Sequence, residues 1–329
     1  MEIVSIVGSG CSGSGAVMEY LIGREDVHVP MPEQEFRLLQ EPGGMSDLYG
    51  AISLEYHPNR AKFALINFIK LARRLGETSK KIRIPPRLGY GFSERLPGYE
   101  KKLNLFINKI TATKIRSYSL IDKLQFSTID WILKKMGFNP ISSNLNHKKP
   151  IPVPKEEFLN HAENFLNRLF ITDEKYDLKG KEITVLDQAG SFWSPLSSTR
   201  YFGEARKIIV VTRHPRDMYA QSIRNKRNKL KFQTRPNVKK RIKVHNAVMK
   251  NINQEEWNSK KVLVVSFESF VKNHQEERKR LCRFLKINPE IPSPYNPKES
   301  GKNVDIYKEY LTEKEKNIFT HETLWPLKK

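Results

Sequence analysis

The chain has 329 residues, of which 38% are hydrophobic and 29% are charged, which excludes a disordered chain and favours a soluble globular protein. Lysine and arginine outnumber aspartate and glutamate by 58 to 36, so the net charge of +22 favours an anionic partner: a nucleic acid, an acidic membrane or saccharide, or a phosphorylated small molecule. No apolar run approaches the roughly 18 residues of a membrane span, and two cysteines, Cys11 and Cys282, exclude a disulfide framework, so we expect a cytoplasmic protein without a secretory signal.

The N-terminal segment predicts a strand, a glycine-rich loop and the start of a helix. The apolar residues 3–7 lead into the loop 8–15 and then into a helix-like segment. Such a loop can direct several backbone N–H groups at an anion, and the helix dipole adds partial positive charge. A nucleotide triphosphatase loop would place a lysine after Gly13, where this chain has Ser14 and Gly15. The segment therefore favours phosphate binding over ATP or GTP hydrolysis, with a purely structural connector as the alternative.

The middle of the chain predicts two amphipathic helices and an inserted segment. Apolar residues fall on one face of a helix from about residue 59 to residue 76, and of a second helix over residues 158–169. Residues 77–155 show weak periodicity and many basic residues, and they end in the proline-rich run 150–154. We expect a helical insertion there, followed by an extended linker, within a single α/β domain over residues 1–329.

Three short segments rich in β-branched residues predict buried parallel strands, at residues 182–186, 207–211 and 261–265. They alternate with helical segments, and this alternation indicates a parallel sheet. Together with the N-terminal strand and loop, they predict an α/β fold: a P-loop-like, nucleotide-kinase-like parallel sheet flanked by helices. A second proline-rich segment, residues 289–297, separates the last core helix from the C-terminal tail.

An arginine follows the predicted strand 207–211 directly, in the run Thr-Arg-His-Pro-Arg-Asp at residues 212–217. Ligands of open parallel sheets bind at this end of the strands, and a guanidinium can form paired hydrogen bonds to a phosphate. Together with the N-terminal loop, this run resembles the sulfotransferases that use 3′-phosphoadenosine 5′-phosphosulfate (PAPS). The resemblance implies PAPS as co-substrate. It assigns the loop to the 5′-phosphosulfate, and Arg213 with a serine on the next helix to the 3′-phosphate.

Two C-terminal segments add to the resemblance: the strand, acidic turn and core helix over residues 261–285, and residues 300–312, which resemble the family's cofactor-covering loop and its next helix. The family's serine lies eight positions after the arginine, where this chain has Gln221, so Ser222 serves only with a small offset of the helix. Many members carry a lysine or arginine where this chain has Cys11, so another cation or the loop's N–H groups must stabilise the bridging oxygen. The cofactor-binding residues implied are Gly10, Cys11, Ser12, Gly13, Ser14, Gly15, Arg213, Ser222, Gly301 and Lys302.

The implied reaction needs a general base that takes the proton of the acceptor hydroxyl. Members that act on phenols and steroids use a histidine on the strand before the 3′-phosphate segment, but residues 185–190 contain none. Carbohydrate-directed and many bacterial members use a glutamate soon after the first helix, and residues 32–44 resemble that pattern. We therefore expect Glu35 to be the base, with Asp187 and Glu33 as reserves. The alternative is that these are ordinary surface carboxylates or ion-pair partners.

The resemblance implies a PAPS-dependent sulfotransferase of the bacterial, carbohydrate-directed kind, acting on a saccharide hydroxyl of a glycolipid, lipo-oligosaccharide or surface polysaccharide precursor. Such an acceptor is met at the cytoplasmic face of the inner membrane, where contact with anionic lipid would help, and the chemistry requires no metal. No nucleic-acid partner is expected, because the basic block 224–243 has few aromatic residues. Two alternatives stay open: a small-molecule kinase with a degenerate P-loop, and a non-catalytic protein that binds nucleic acid or anionic glycan.

Overall fold

The computed structural model describes residues 1–78, 89–112, 128–137, 148–171, 176–229, 237–254 and 257–324. The chain divides into two compact units. The first unit comprises Met1–Phe36, Leu178–Arg200 and Glu204–Lys329, and the second comprises Arg37–Asp177 and Tyr201–Gly203. The predicted insertion, residues 77–155, falls within the second unit; parts of it, and part of the basic block 224–243, lie outside the described residues.

The first unit is built on a five-stranded parallel sheet with the strand order β2-β5-β1-β6-β7, and β3 and β4 form an antiparallel pair in the second unit. The predicted α/β fold with a parallel sheet is confirmed, and each predicted strand agrees with the observed one to within one residue at each end. The strands are β1 (Glu2–Gly8), β2 (Val27–His28), β3 (Thr111–Ala112), β4 (Lys149–Pro150), β5 (Ile183–Asp187), β6 (Lys207–Thr212) and β7 (Val262–Ser266).

Helices occupy most of the remaining described residues, and the two predicted amphipathic helices are confirmed as α3 and α7. The helices are α1 (Ser14–Leu21), α2 (Met45–Tyr49), a π-helix (Gly50–Leu54), α3 (Pro58–Gly76), α4 (Phe92–Arg95), α5 (Tyr99–Lys109), α6 (Thr128–Lys135), α7 (Lys155–Phe170), α8 (Pro195–Ser198), a 3₁₀ turn (Arg200–Phe202), α9 (Pro215–Lys229), α10 (Val238–Gln254), α11 (Phe267–Lys272), α12 (His274–Leu285), α13 (Pro297–Gly301), α14 (Tyr307–Tyr310) and α15 (Glu313–Glu322).

Both faces of the parallel sheet are covered by helices. On one face, α1 and α12 pack against alternate residues of β1, β5 and β6. On the other face, α10 packs through Met249 and Ile252 against the opposite residues of β1, β6 and β7. Strands buried on both sides need apolar side chains at nearly every position, which is why their sequences read as continuous apolar runs.

The register of the strands brings three loops to one edge of the sheet. Ile6 of β1 pairs with Asp187 of β5 on one side and with Ile209 of β6 on the other. The carboxyl ends of these strands are therefore nearly level, and the loops that follow them, residues 9–13, 188–194 and 213–214, leave from the same edge. In open parallel sheets this edge is where ligands bind.

The second unit has an aromatic core of its own. The ring of Phe106 on α5 stacks on Phe165 of α7 with centroids 5.1 Å apart, and it contacts Phe68 of α3 edge-on at 5.8 Å. Phe106 and Phe165 are buried, so these rings contribute both apolar area and favourable ring geometry. No helix in the described ranges is long and apolar enough to cross a bilayer.

Candidate functional site

The loop after β1 has a backbone that only certain residues can adopt. Cys11 and Gly13 both have left-handed conformations, with φ of +68° and +86°. A side chain at Gly13 would also place its Cβ 2.3 Å from the ring of Phe267, so glycine is required there on two grounds. Backbone that alternates in hand in this way turns successive N–H groups toward one side, where an anion can bind.

The donors of this loop are open to a ligand. A Cβ added at Gly10 or Gly15 would meet no atom within 4 Å, so the backbone there faces open space. The N–H groups of Ser14 and Gly15 begin α1 and have no intrahelical acceptor, as in the first turn of every helix. The Ser12 hydroxyl is buried and has no hydrogen-bond partner among the described residues. Unsatisfied donors beside open space at a helix start fit a phosphate or sulfate group.

Gln188 connects this loop to the end of β5. Its side-chain oxygen accepts a hydrogen bond from the Gly8 N–H at 3.2 Å, and its side-chain nitrogen donates to the Ser14 hydroxyl at 3.1 Å. Gln188 itself has a left-handed backbone, with φ of +49°, and its N–H donates to the Ile6 carbonyl at 2.8 Å. No motif in the sequence predicts a role for Gln188. Its position directly after a predicted buried strand is the signal that could have singled it out.

Arg213 follows β6 and joins two segments that are distant in sequence. Its Nη1 donates to the carbonyl of Cys11, 202 residues away, at 3.1 Å, and its Nη2 donates to the carbonyl of Asn303. The guanidinium lies over the ring of Phe267, 4.9 Å from the centroid, and is 3% exposed. Burial lowers the pKa of Arg213, although Asp217 and Glu268 act in the opposite direction. An arginine keeps its charge under such conditions, so a fixed cation lies beside the loop.

The predicted cofactor-covering segment is held against the start of α9. We call residues 301–307 the C-terminal strap. The buried carboxylate of Asp217 accepts hydrogen bonds from the N–H groups of Asp305 and Tyr307, at 3.1 and 2.9 Å. The guanidinium of Arg216 lies 4.3 Å from the centroid of the Tyr307 ring. The pKa of Asp217 is raised, chiefly because of burial, although the two N–H donors and the charge of Arg213 act in the opposite direction.

Two other side chains of the predicted 3′-phosphate site, Ser222 and Lys302, form local contacts, whereas Arg224, which was not predicted there, reaches the strap. The Ser222 hydroxyl donates to the Tyr219 carbonyl at 2.7 Å within α9, and Arg224 donates to the side chain of Asn303 in the strap. Lys302 is exposed and forms an ion pair with Glu299 on α13. The structure thus brings Arg213 and Arg224 to the strap, while the Ser222 hydroxyl and the Lys302 ammonium bond within their own helical segments.

Glu268 caps a turn between the ends of two strands. Its carboxylate accepts a hydrogen bond from the His214 N–H at 2.8 Å and from the Ser266 hydroxyl at 2.9 Å. These bonds fix the backbone that follows Arg213 against the end of β7. Glu268 therefore has a structural task that accounts for both of its oxygen atoms.

Two of the three candidate bases, Glu35 and Asp187, belong to backbone segments that pair directly. Glu35 forms a single parallel β-bridge with Asp187, and the Phe36 N–H donates to the Asp187 carbonyl at 2.8 Å. Both side chains are half-buried, whereas Glu33 is exposed. Because Asp187 also pairs with Ile6 of β1, the Glu35–Asp187 pair lies at the carboxyl edge of the sheet, on the β5 side of the loop. No cluster of three or more His, Cys, Asp or Glu side chains that could hold a metal occurs in the described part of the chain.

Comparisons with known proteins find similar solved structures, among them two sulfotransferase domains. No family model matches the chain, and a search of curated proteins finds no match. The sulfotransferase domain from the Synechococcus PCC 7002 olefin synthase is 13% identical, with a TM-score of 0.40, over 100% of this chain and 90% of that one. The sulfotransferase domain from the curacin biosynthetic pathway is 16% identical, with a TM-score of 0.38, over 99% of this chain and 93% of that one. At such scores a match transfers no function, and the site residues alone support the function proposed below.

His214 makes the stability of this site dependent on pH. Burial, with the nearby charge of Arg216, lowers the pKa of His214 from 6.5 to about 4, and its Nδ1 accepts a hydrogen bond from the Arg216 N–H at 3.2 Å. The unfolded chain therefore binds more protons than the folded one between these pH values, and stability falls as the pH falls through this window. We expect the unfolding free energy of the wild type to decrease more between pH 7 and pH 5 than that of His214→Gln, measured by urea denaturation. The matched control is His57→Gln, at an exposed histidine, which should follow the wild type; parallel profiles for all three proteins would contradict the assignment.

Proposed function

We propose that the protein is a sulfotransferase that takes its sulfuryl group from PAPS. The observation that carries the proposal is the direct contact between its two predicted phosphate sites: Arg213 donates to the carbonyl of Cys11 in the N-terminal loop. An elongated ligand with a phosphate at each end needs two such sites at one edge of the sheet. The loop resembles the family's 5′-phosphosulfate site, and Arg213 with the strap resembles its 3′-phosphate site.

The residues present fit such a ligand. The open backbone at Gly10 and Gly15, with the unpartnered Ser12 hydroxyl, suits the 5′ end. Arg213 Nε is buried and has no partner among the described residues, so it can donate to a 3′-phosphate while both Nη atoms hold protein carbonyls. We assign Ser222, Gly301 and Lys302 to the same phosphate on the resemblance. When bound, PAPS supplies a sulfuryl group whose transfer to a hydroxyl leaves adenosine 3′,5′-bisphosphate.

The chain itself must take a proton from the acceptor hydroxyl. We assign this task to Glu35, with Asp187 as its neighbour and reserve, because the two lie together beside the phosphate loop. A carboxylate that accepts the proton contributes typically 10²–10⁴-fold to the rate of such reactions. Glutamate in place of histidine favours a saccharide hydroxyl as acceptor, on the resemblance to the carbohydrate-directed members.

Two other functions predict different ligands. A small-molecule kinase would prefer ATP with magnesium, and the absence of a lysine between Gly13 and Gly15 counts against it. A non-catalytic protein that binds nucleic acid or anionic glycan would not discriminate in favour of a 3′-phosphate. Nucleotide binding therefore separates the three functions.

We expect adenosine 3′,5′-bisphosphate to bind more tightly than 5′-AMP, ADP or magnesium ATP in isothermal titration calorimetry. Arg213→Lys should weaken the binding of the bisphosphate by about tenfold or more, because a single ammonium cannot hold both carbonyls and also donate to the 3′-phosphate as the three guanidinium nitrogens can, while 5′-AMP binding should change little. Arg213→Ala should weaken it further. The control is Arg283→Lys, the same change at an exposed position of α12, and melting curves verify that each variant is folded. Preference for ATP would favour the kinase, and binding of no nucleotide would favour the non-catalytic protein.

We expect Glu35→Gln to keep its affinity for adenosine 3′,5′-bisphosphate within about twofold and to lower turnover by about 10²-fold or more. Turnover is measured as transfer of radiolabel from ³⁵S-PAPS to a panel of saccharide acceptors. Glu33→Gln, the same change at an exposed neighbour, should leave turnover near the wild-type value. Normal turnover in Glu35→Gln together with its loss in Asp187→Asn would transfer the role of base to Asp187.

Contact with an anionic membrane, as a glycolipid acceptor requires, is part of the same proposal, and α6 supports it. Three of its large apolar side chains are mainly exposed to solvent, at 59% for Ile129, 51% for Ile132 and 43% for Trp131, and Met136 just beyond the helix is 57% exposed. Its last turn carries Lys134 and Lys135. Exposed apolar and aromatic groups beside lysines are typical of helices that lie in the interface of anionic bilayers.

We expect the protein to sediment with phosphatidylglycerol vesicles and not with phosphatidylcholine vesicles, and the binding to weaken with added salt. The double substitution Ile129→Asn and Ile132→Asn should abolish the binding, because it removes the apolar groups that would enter the bilayer. Leu105→Asn on α5, where the leucine is 43% exposed, is the matched control and should bind like the wild type. Equal binding of all three proteins would exclude α6 as the contact.

A further inference from the structure

Gln188 keeps the proton of a hydroxyl in the N-terminal loop from pointing toward it. The Gly8 N–H can only donate a hydrogen bond, so the atom of Gln188 that lies 3.2 Å from it must be the side-chain oxygen. The amide nitrogen then faces the Ser14 hydroxyl at 3.1 Å, and it can only donate. The Ser14 oxygen is therefore an acceptor in this contact.

The Ser14 hydroxyl has one proton to donate and has already been assigned an acceptor role toward Gln188. Among the described residues no group accepts that proton. Ser14 is the first residue of α1, and its own N–H and that of Gly15 also have no intrahelical acceptor. Three donors therefore lie together at the start of this helix, and one of them, the Ser14 hydroxyl, is contacted by Gln188, which follows β5.

Strain at Gln188 supports a dedicated role. Among the described residues four other than glycine have a positive φ, and three of them, Cys11, Gln188 and Asp305, belong to the loop, to its partner strand end or to the strap. A left-handed backbone costs a residue other than glycine of order 1 kcal/mol, and such conformations persist where surrounding contacts hold them. At Gln188 those contacts are the Ile6 carbonyl, the Gly8 N–H and the Ser14 hydroxyl.

We infer that Gln188 is a positioning residue that makes Ser14 a hydrogen-bond donor to the anion bound by the N-terminal loop. The inference rests on the proposed function only for the identity of that anion, the 5′ end of PAPS. The charged oxygens of a phosphate or sulfate group in the loop accept hydrogen bonds, so they bind the Ser14 proton and repel its lone pairs. Gln188 occupies one of these lone pairs and offers the proton no acceptor, so the proton stays available to the anion before the ligand arrives, and Gln188 does this without touching the ligand.

The decisive variant is Gln188→Glu, which has nearly the same shape. A carboxylate still accepts from the Gly8 N–H, but it also accepts from the Ser14 hydroxyl, so it turns the proton away from the anion and adds a negative charge nearby. We expect the affinity for adenosine 3′,5′-bisphosphate and for inorganic pyrophosphate to fall by about 30-fold or more. The melting temperature should stay close to that of the wild type, because both hydrogen bonds are kept. Gln275→Glu, the same change at an exposed position of α12, should bind both anions like the wild type.

The pH dependence of the same variant gives a readout that a merely structural role would not affect. A protonated carboxyl can donate to the Ser14 oxygen as the amide does. The ratio of wild-type to variant affinity should therefore decrease as the pH falls toward the ordinary glutamate pKa of about 4.3. A ratio that is constant from pH 8 to pH 5 would contradict the inference.

A double-mutant cycle tests whether Gln188 acts through Ser14. Ser14→Ala and Gln188→Met should each weaken pyrophosphate binding, by about tenfold and about three- to tenfold, and the double variant should be no weaker than Ser14→Ala alone. Effects that multiply would overturn the inference, as would a wild type that binds neither anion. A wild type that binds pyrophosphate without preference for a 3′-phosphorylated nucleotide would instead overturn the proposed function, and the Gln188 result would stand independently of it.

Discussion

A buried guanidinium unites the candidate site. Arg213 donates to the carbonyl of Cys11 in the N-terminal loop and to that of Asn303 in the strap, and its flat face lies on the Phe267 ring. A charged side chain that is only 3% exposed is costly to bury unless its N–H groups have hydrogen-bond acceptors. The hydrogen bonds to Arg213 therefore hold both carbonyls in place. Loop, strap and α9 are thereby tied to one side chain. An arginine does this better than a lysine because its donors diverge in a plane and can reach separate segments.

The same guanidinium places a fixed positive charge beside a loop that contains no lysine. Proteins that bind nucleotide triphosphates place a lysine within the loop, where it reaches the terminal phosphates. Here Cys11 and Ser14 occupy the loop without a cation, and the permanent charge comes from the neighbouring strand through Arg213. The loop is left with N–H groups and hydroxyls, which favour tetrahedral anions without the strong field needed for a triphosphate and its metal. This division of donors is consistent with a ligand whose 5′ end carries a single phosphosulfate.

The sequence predicted the elements that depend on local pattern. The strands β1, β5, β6 and β7 were predictable because a parallel strand buried on both faces must be apolar at nearly every position, as β6 is. The loop after β1 was predictable because its left-handed residues and close approaches require glycine, as at Gly13 against Phe267. The place of Arg213 beside this loop was predictable because it directly follows a parallel strand, at the edge where the loops between strands and helices meet.

Hydrogen bonds between segments that are distant in sequence could not be predicted from local patterns. Asp217 reads locally as an acid in the first turn of α9, and only the folded chain shows its hydrogen bonds to the N–H groups of Asp305 and Tyr307. The contacts of Gln188 could not be predicted either, because its partners Gly8 and Ser14 lie 180 and 174 residues away in the sequence. Ser222 shows the opposite case, a contact within one helix. Its hydroxyl donates to the carbonyl of Tyr219, and a sequence motif does not tell whether a serine hydroxyl bonds to its own helix or faces a ligand.

The short segment Asp187–Gln188 gives the site its internal precision. Asp187 carries the bridge to Glu35, and the next residue, Gln188, holds Gly8 and Ser14 of the phosphate loop. The residue that bridges to Glu35, the proposed proton acceptor, and the residue that holds the N-terminal loop are therefore joined by one peptide bond at the end of β5, a buried strand. Effective transfer between two bound groups depends on placing them to within a fraction of an ångström. A proposed base and a proposed anion site that are held by neighbouring residues suit that requirement, and the left-handed backbone at Gln188 is the local strain that this arrangement involves.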